Sequence, residues 1–199
     1  MIAPRVEHAL FEGVAVLEEL GLRYAVVGGL AVGVWSTPRA TRDVDLYSEL
    51  PDPARPAVEA ALRDRGFEVP AMAAELQRFG VFRSRLASKR VFLDVFDATG
   101  PLGESLLRRR VLVETQGRKI WFATAEDLAI LKAFSDRPRD LDDLVALLAV
   151  PKAPLDLAYI EKWARLLDAS IGGNEVSERL RLAGEMAERR KKALSSRGT

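Results

Sequence analysis

The feature that most constrains the fold is a change of pattern near residue 123. Before it, helical periodicity alternates with short β-branched or alternating segments. The predicted strands cover 24–27, 43–47, 81–86, 90–97, 111–114 and 119–122. After it, only helical periodicity remains, over 125–135, 139–149, 156–168 and 174–193. The sequence therefore predicts the α/β (α+β) class, with a core over 1–122 followed by a C-terminal helical domain over 123–199.

Composition removes several kinds of chemistry. The 199 residues include no Cys and one His, His8, which excludes disulfides, thiolate nucleophiles, zinc ribbons and multi-His metal sites. A Ser-His-Asp triad of the usual kind has no support either. Lys and Arg number 30 against 29 Asp and Glu, for a net charge of +1, so net charge alone does not attract a polyanion. The groups that remain available for catalysis and binding are carboxylates, lysine, arginine and the backbone.

The N-terminus does not resemble a signal peptide. Glu7 and His8 stand where the apolar centre of such a peptide would lie. The longest apolar stretch, 24–35, is shorter than the roughly 20 residues that span a bilayer. We therefore expect a soluble, cytoplasmic protein with no membrane partner.

Two acidic residues form the most informative motif. In the strand predicted over 43–47, Asp43 and Asp45 project from the same face. Like charges this close repel each other unless a cation lies between them, which favours a divalent metal ion. A solvent-facing strand with an acidic side explains the isolated motif about as well.

Two glycines precede this motif. Gly28 and Gly29 join a predicted strand to a short predicted helix. Backbone N–H groups at the start of a helix suit phosphate oxygens. The alternative is a tight turn that requires a positive φ.

A third acid, Asp94, interrupts the otherwise apolar strand predicted over 90–97. A buried carboxylate without a partner costs several kcal/mol, so Asp94 needs either a functional cation or a neighbouring Arg. Asp97 is an alternative functional acid, although it stands at the strand end, where acidic residues are ordinary.

In this order, the residues resemble the nucleotidyltransferases of the DNA polymerase β superfamily, particularly the AbiEii and MenT toxin-type group. The resemblance covers about residues 24–148. It rests on Gly28-Gly29, Arg39-x-Thr41-x-Asp43-x-Asp45, Asp94 in Leu-Asp-Val-Phe, Asp127-Leu128-x-x-x-Lys132 and Arg137-x-Arg139-Asp140-x-x-Asp143. It implies a mixed sheet flanked by helices, and a C-terminal helical domain that closes the nucleotide cleft.

The resemblance also implies roles for these residues. Asp43, Asp45 and Asp94 would hold two Mg²⁺ ions, with Mn²⁺ as a substitute, and Asp94 would also be the general base. A nucleoside triphosphate (NTP) would be the substrate. Lys132 would contact its triphosphate, and the remaining nucleotide-site residues would be Gly28, Gly29, Arg39, Thr41, Arg139, Asp140 and Asp143.

The residues of the helical half have alternative interpretations. Lys132 lies at the edge of an apolar helical arc, so it either reaches toward a cleft or extends along the core. Asp140 and Asp143 share a helix face, which is also typical of a solvated surface with an Arg139–Asp143 pair. Which of the two acids matters more stays open.

The expected reaction transfers a nucleoside monophosphate from an NTP to an acceptor hydroxyl and releases pyrophosphate. The toxin-like branch suggests tRNA or protein as acceptor, and a cognate antitoxin as partner. The alternatives are a small-molecule, antibiotic-type nucleotidyltransferase and a catalytically silent binding module.

A basic stretch bears on the acceptor. Residues 83–119 carry nine Lys and Arg against four Asp and Glu. The members singled out are Arg83, Arg85, Lys89 and Arg90 on a predicted hairpin, followed by Arg108, Arg109 and Arg110. Such a patch either binds an RNA backbone or is a solvated face.

Overall fold

The structure is a computed structural model that describes residues 2–70, 80–88 and 90–196. Lys89 of the predicted basic patch lies outside the described residues. The chain divides into two compact units. The first comprises Met1–Leu30 and Arg39–Ala123, and the second comprises Ala31–Pro38 and Thr124–Thr199.

A mixed β-sheet forms the first unit. Its strands in the described part of the chain are β1 (Tyr24–Val26), β2 (Val44–Ser48), β3 (Phe67–Glu68), β4 (Val81–Leu86), β5 (Val91–Asp97), β6 (Val111–Thr115) and β7 (Arg118–Phe122). They are arranged in the order β3-β4-β5-β2-β1-β7-β6. The β2–β5 and β1–β7 pairs are parallel, and the other neighbours are antiparallel.

Four helices begin in the described residues of this unit. They are α1 (Pro4–Glu19), α2 (Gly28–Trp35), α3 (Arg55–Asp64) and α4 (Gly100–Arg109), and α3 follows a short 3₁₀ turn at Asp52–Ala54. Helix α2 ends in the second unit. The predicted class, with a mixed sheet and flanking helices, is confirmed.

Helix α1 shows why one face of the sheet is apolar. Its buried residues recur at helical spacing and include Val6, Leu10, Val14 and Leu17. At Gly13, an added Cβ would lie 2.7 Å from Cδ2 of Leu93 on β5, so the helix packs closely over that strand. Because side chains alternate along a strand, Asp94 points to the opposite face from Leu93.

The second unit contains four further helices among the residues described. They are α5 (Ala125–Phe134), α6 (Pro138–Ala149), α7 (Leu157–Ile171) and α8 (Glu175–Ser195). Thr124 caps α5, since its Oγ1 accepts a 3.2 Å hydrogen bond from the Asp127 amide. No helix in the described part of the chain is long and apolar enough to cross a membrane.

Several element boundaries differ by one to three residues from those predicted, among them those of β2 and α7. Strand β2 begins at Val44, whose partner on β5 is Leu93, so Asp43 precedes the strand instead of starting it. Helix α7 continues to Ile171. It ends there because Gly172 adopts the left-handed conformation, with φ 78°.

Candidate active site

Two of the predicted acids lie side by side near the middle of the sheet. Asp45 on β2 and Asp94 on β5 are register partners in the parallel pair, so their side chains share one face. Asp94 is only 4% exposed and Asp45 is partly buried. Asp43 is exposed and immediately precedes β2. The structure thus brings together two carboxylates that are 49 positions apart in the chain.

Arg83 is the partner of Asp94. The two residues face each other across the antiparallel β4–β5 pair. Arg83 Nε donates to Asp94 Oδ1 at 2.7 Å, and Nη2 donates to Oδ2 at 2.5 Å. The guanidinium also lies over the Phe92 ring, 5.0 Å from its centroid. Of the two partners that the sequence left open for Asp94, the structure contains the arginine.

The Arg83 guanidinium is influenced by the other acids as well. Its hydrogen bonds to Asp94 raise its pKa above the ordinary arginine value, and this effect outweighs the lowering caused by burial. The charges of Asp94, Asp43 and Asp45 raise the pKa further. One arginine therefore provides positive charge to all three predicted metal ligands.

Gly28 is in contact with Asp45. It has φ +61° at the start of α2, so the positive φ expected of a tight turn is present. An added Cβ would lie 1.9 Å from Oδ2 of Asp45. The Val27 amide also donates to the Asp45 backbone carbonyl at 2.9 Å. The carboxylate of Asp45 thus lies directly against the glycine turn.

The second glycine faces a different side chain. An added Cβ at Gly29 would lie 3.0 Å from both terminal nitrogens of Arg39. Arg39 Nη1 donates to the Ala40 carbonyl at 3.3 Å, and Thr41 Oγ1 donates to the Asp43 carbonyl at 3.3 Å. The glycine turn is therefore bordered by a carboxylate at Gly28 and by a guanidinium at Gly29.

These acids fit a divalent cation in ligand type and in register. Carboxylate oxygens are preferred ligands of Mg²⁺ and Mn²⁺, and Asp45 and Asp94 are adjacent. Within 2–70, 80–88 and 90–196, however, no three His, Cys, Asp or Glu side chains are grouped so that they could hold a metal ion. At Asp94, both carboxylate oxygens accept hydrogen bonds from Arg83.

The predicted residues of the second unit form an ion cluster. Lys132 Nζ hydrogen-bonds to Asp140 Oδ1 and lies 3.0 Å from Asp143 Oδ2. Asp140 Oδ2 accepts a 2.6 Å hydrogen bond from Ser135 Oγ and lies 3.2 Å from Arg137 Nε. Lys132, Asp140 and Asp143 are all buried. The solvated face considered for the two acids is therefore wrong.

Asp140 is held in its ionised form despite its burial. Burial alone would raise its pKa, but the hydrogen bonds from Lys132 and Ser135, together with the charges of Lys132 and Arg137, hold the pKa below the ordinary value. Lys132 is thus shared by two carboxylates, and Arg137 adds a second positive charge beside Asp140. Arg139, on the same helix as Asp140, is exposed.

Another buried acid connects helices of this unit. Asp127 is fully buried, and its Oδ1 accepts a 2.7 Å hydrogen bond from the Tyr159 hydroxyl on α7. Its Oδ2 contacts Thr124 Oγ1 at 2.7 Å. This residue of the sequence motif therefore holds the capping side chain of Thr124 and attaches α5 to α7.

The predicted site residues fall into two sets, one in each unit. The first unit contains Gly28, Gly29, Arg39, Thr41, Asp43, Asp45 and Asp94, and the second contains Lys132, Arg139, Asp140 and Asp143. Arg83 belongs to the first set as well, although its neighbours in the sequence indicate only a basic patch. The predicted hairpin bounds did not give the Arg83–Asp94 pair, because a strand that begins at residue 90 sets Leu93 opposite Arg83, whereas the observed pairing of Leu86 with Val91 sets Asp94 there.

Much of the predicted basic patch is engaged within the chain. Arg83 pairs with Asp94, and Arg85 pairs with Glu68 at 2.8 Å. Arg110 donates to the Leu107 carbonyl at 2.5 Å and lies over the Trp121 ring, 4.6 Å from its centroid. These contacts weaken the interpretation of the stretch as an RNA-binding surface.

Several solved structures are similar to this chain, and the fold is supported by the similarity to LnuA. Lincosamide antibiotic adenylyltransferase LnuA, bound to lincomycin, is 16% identical with a TM-score of 0.50, and the match covers 73% of this chain and 96% of that chain. The antibiotic-resistance factor ANT(2'')-Ia is 18% identical with a TM-score of 0.48, over 100% and 98% of the two chains. An antigenic nucleotidyltransferase-like protein from Paracoccidioides brasiliensis is 19% identical with a TM-score of 0.48, over 90% and 94%.

The family match is more specific than these structural likenesses. No curated protein matches the chain. Residues 8–165 match a family described as nucleotidyltransferase of unknown function (DUF6036). The matched range includes both sets of site residues. By this match over most of its length, the chain belongs to the DUF6036 family of nucleotidyltransferases.

Proposed function

We propose that this protein transfers a nucleoside monophosphate from an NTP to an acceptor hydroxyl, with release of pyrophosphate. The observation that carries the proposal is the pairing of Asp45 with Asp94 on one face of the sheet, beside the Gly28 turn. Membership of a nucleotidyltransferase family supports the same reaction class. Buried carboxylates next to a backbone turn are suited to positioning and electrostatic catalysis of phosphoryl chemistry.

In the proposed reaction, the acceptor oxygen attacks the α-phosphorus of the NTP. A bond forms between this oxygen and the phosphorus, the bond to the β-phosphate bridging oxygen breaks, and pyrophosphate leaves. Asp94 is the proposed general base and takes the proton of the acceptor hydroxyl on a carboxylate oxygen. Asp45 and Asp94 would hold a divalent cation, Mg²⁺ or Mn²⁺, and Asp43 would join them only after a rearrangement, since among the described residues these three acids are not grouped as metal ligands. The cation would neutralise triphosphate charge and acidify the acceptor hydroxyl.

The glycine turn has a proposed role in binding the triphosphate. Backbone N–H groups of Gly28 and Gly29 would donate to phosphate oxygens. Arg39 supports this role, because its guanidinium lies beside Gly29 and suits a phosphate group. Thr41 hydrogen-bonds to the Asp43 carbonyl, and we propose that it positions the segment that leads to the acids.

For the helical unit, the ion cluster favours a positioning role. Lys132 is shared between Asp140 and Asp143, so we propose that these three residues fix α5 against α6. The triphosphate contact predicted for Lys132 would require it to give up carboxylate partners. The nucleotide-site role of the exposed Arg139 remains a prediction.

The class of acceptor molecule is supported by fewer observations than the reaction itself. Resemblance to the AbiEii and MenT group favours tRNA or protein, with a cognate antitoxin as partner. Among the described basic residues singled out in the sequence, Arg90 and Arg108 are exposed, and they are the candidates for contact with RNA. Because Arg83, Arg85 and Arg110 make internal contacts, a small-molecule acceptor of antibiotic type is the second candidate.

The direct test is label transfer from each α-³²P-NTP in the presence of Mg²⁺. Parallel reactions contain total RNA, a protein extract, or a panel of aminoglycosides and lincosamides, and the labelled class identifies the acceptor. We expect Asp45→Asn to abolish transfer and Asp52→Asn, at an exposed position in the 3₁₀ turn, to leave it intact. If no NTP is consumed with any acceptor, the transferase proposal is wrong and the silent binding module replaces it.

A further inference from the structure

Arg83 occupies the position in which a cation is expected among the acids of the first unit. It is paired with the buried Asp94 and is influenced by the charges of Asp43 and Asp45. We propose that Arg83 is the built-in counter-ion of this site. A divalent cation that takes Asp94 as a ligand displaces the guanidinium, so Arg83 sets the cation affinity of the protein. This inference rests on the proposed function, because that function requires the cation.

The geometry of the pair supports direct competition. An arginine fork matches the two oxygens of a carboxylate, and here each oxygen accepts one N–H donor. These oxygens are the atoms that would coordinate a metal ion. The Asp94 side chain is 6% exposed, so water does not offer it an alternative partner. Binding of a metal ion and the present arginine pairing therefore depend on the same atoms.

The Arg83 guanidinium can be hydrated once a metal ion displaces it from Asp94. Its side chain is 31% exposed, in contrast to that of Asp94, so the guanidinium can regain hydration. It lies over the Phe92 ring, and this cation–π contact does not involve Asp94. Exchange of the arginine for a metal ion thus leaves no arginine charge buried without a partner.

Arg85 provides a matched comparison on the same strand. Two residues along β4, it shares the strand face of Arg83, but its register partner is Phe92 instead of an acid. It pairs with Glu68, and the exposed fractions of the two side chains are 43% and 58%. Removing Arg85 therefore deletes the same type of side chain and an ion pair without changing the contacts of Asp94.

The test measures Mn²⁺ binding to the nucleotide-free full chain by the loss of the free Mn²⁺ electron paramagnetic resonance signal. We expect Arg83→Gln to tighten binding by about tenfold or more, because the competitor is gone. Arg85→Gln should change the affinity by less than about twofold. Unchanged or weaker binding by Arg83→Gln, relative to Arg85→Gln, would overturn the proposal.

Arg83→Gln is also expected to lower the stability of the protein, so Arg83→Lys is tested as a second variant. Arg83→Gln leaves Asp94 buried without its ion-pair partner, so its melting temperature in EDTA should fall and Mn²⁺ should raise it more than in the unsubstituted protein. Arg83→Lys keeps the charge but loses the fork, and we expect its Mn²⁺ affinity to be intermediate. If Arg83→Gln does not fold, an affinity of Arg83→Lys equal to or below that of the unsubstituted protein overturns the proposal.

Failure of the inference and failure of the proposed function are distinguishable. Mn²⁺ affinity is measured without NTP or acceptor, whereas the function is measured by label transfer. Tighter binding by Arg83→Gln without any transfer would uphold the counter-ion role and remove the transferase role. Label transfer together with a Mn²⁺ affinity that does not change in Arg83→Gln would uphold the transferase role and overturn the counter-ion role. Absence of Mn²⁺ binding in every variant would overturn the counter-ion role.

Discussion

The carboxylate of Asp45 fills the space that a side chain at position 28 would need. A Cβ on Gly28 would lie 1.9 Å from Asp45 Oδ2 and 2.9 Å from Asp45 Cβ. The Cβ belongs to the anchored part of the side chain, so rotation of the carboxylate alone does not relieve the overlap. The glycine turn and the acid that it supports are thus a single structural unit.

We therefore expect Gly28→Ala to reduce nucleotide transfer by on the order of a hundredfold, because it displaces Asp45 from its position. The positive φ adds a cost of about 1–2 kcal/mol in the free energy of unfolding. Transfer kinetics and urea unfolding measure the two effects.

Gly29→Ala is the matched control for this change. Its added Cβ meets only the ends of the flexible Arg39 side chain, which can move by a few tenths of an ångström. We expect transfer to fall by less than about tenfold. Equal activities of the two variants would show that the contact between position 28 and Asp45 has no role in catalysis.

The Arg83–Asp94 pair should appear as an energetic coupling. Breaking a largely buried ion pair by removing one partner costs about 3–5 kcal/mol when both groups are buried, and partial exposure of Arg83 reduces this to about 2–3 kcal/mol. We expect Arg83→Gln and Asp94→Asn each to destabilise the protein. The double variant should be more stable than the sum of the two effects predicts, by about 1–2 kcal/mol. Urea unfolding in EDTA completes this cycle, and strictly additive effects would contradict the pairing.

The sequence predicts the hairpin that carries this pair, but neither the pair itself nor the neighbour of Asp94 on the other side. The hairpin is confirmed, but its predicted strand bounds pair Leu86 with Arg90 and therefore Arg83 with Leu93, whereas the structure pairs Leu86 with Val91 and Arg83 with Asp94. The pairing of Asp45 with Asp94 depends instead on β2 and β5 lying parallel. That arrangement is non-local, and no turn fixes its register. Proximity of the acids was therefore predicted only through resemblance to a family.

The ion cluster of the helical unit shows a second limit of sequence analysis. Helical spacing placed Lys132 at the edge of an apolar arc, and it placed Asp140 and Asp143 on one face. Spacing within a helix does not determine which face meets the neighbouring helix, since that depends on the connection between α5 and α6. The contact of Lys132 with both acids is a result of this tertiary packing.

Removal of the Lys132 charge should be strongly destabilising. Lys132→Met leaves Asp140 and Asp143 buried without their lysine partner, and we expect a loss of about 3 kcal/mol in the free energy of unfolding. The control is Lys191→Met, because Lys191 pairs with Glu188 on the exposed surface of α8. That change should cost less than about 0.5 kcal/mol. If both variants unfold at the same urea concentration, the buried cluster does not contribute to stability.

Low pH should reduce the free energy of unfolding because Asp140 becomes protonated. Its pKa in the folded protein lies below the ordinary value of 3.8, so the unfolded chain binds a proton more readily than the folded chain. The stabilisation is therefore fully present above about pH 4 to 5 and is lost as the pH falls below 3.8, through the folded pKa. We expect Asp140→Asn to lower the free energy of unfolding at pH 6 and to flatten its decline between about pH 5 and pH 2. Asp142→Asn, at an exposed position of the same helix, should retain the steep decline. Urea unfolding at each pH measures both curves, and parallel curves for Asp140→Asn and the unsubstituted protein would show that Asp140 does not produce the acid sensitivity.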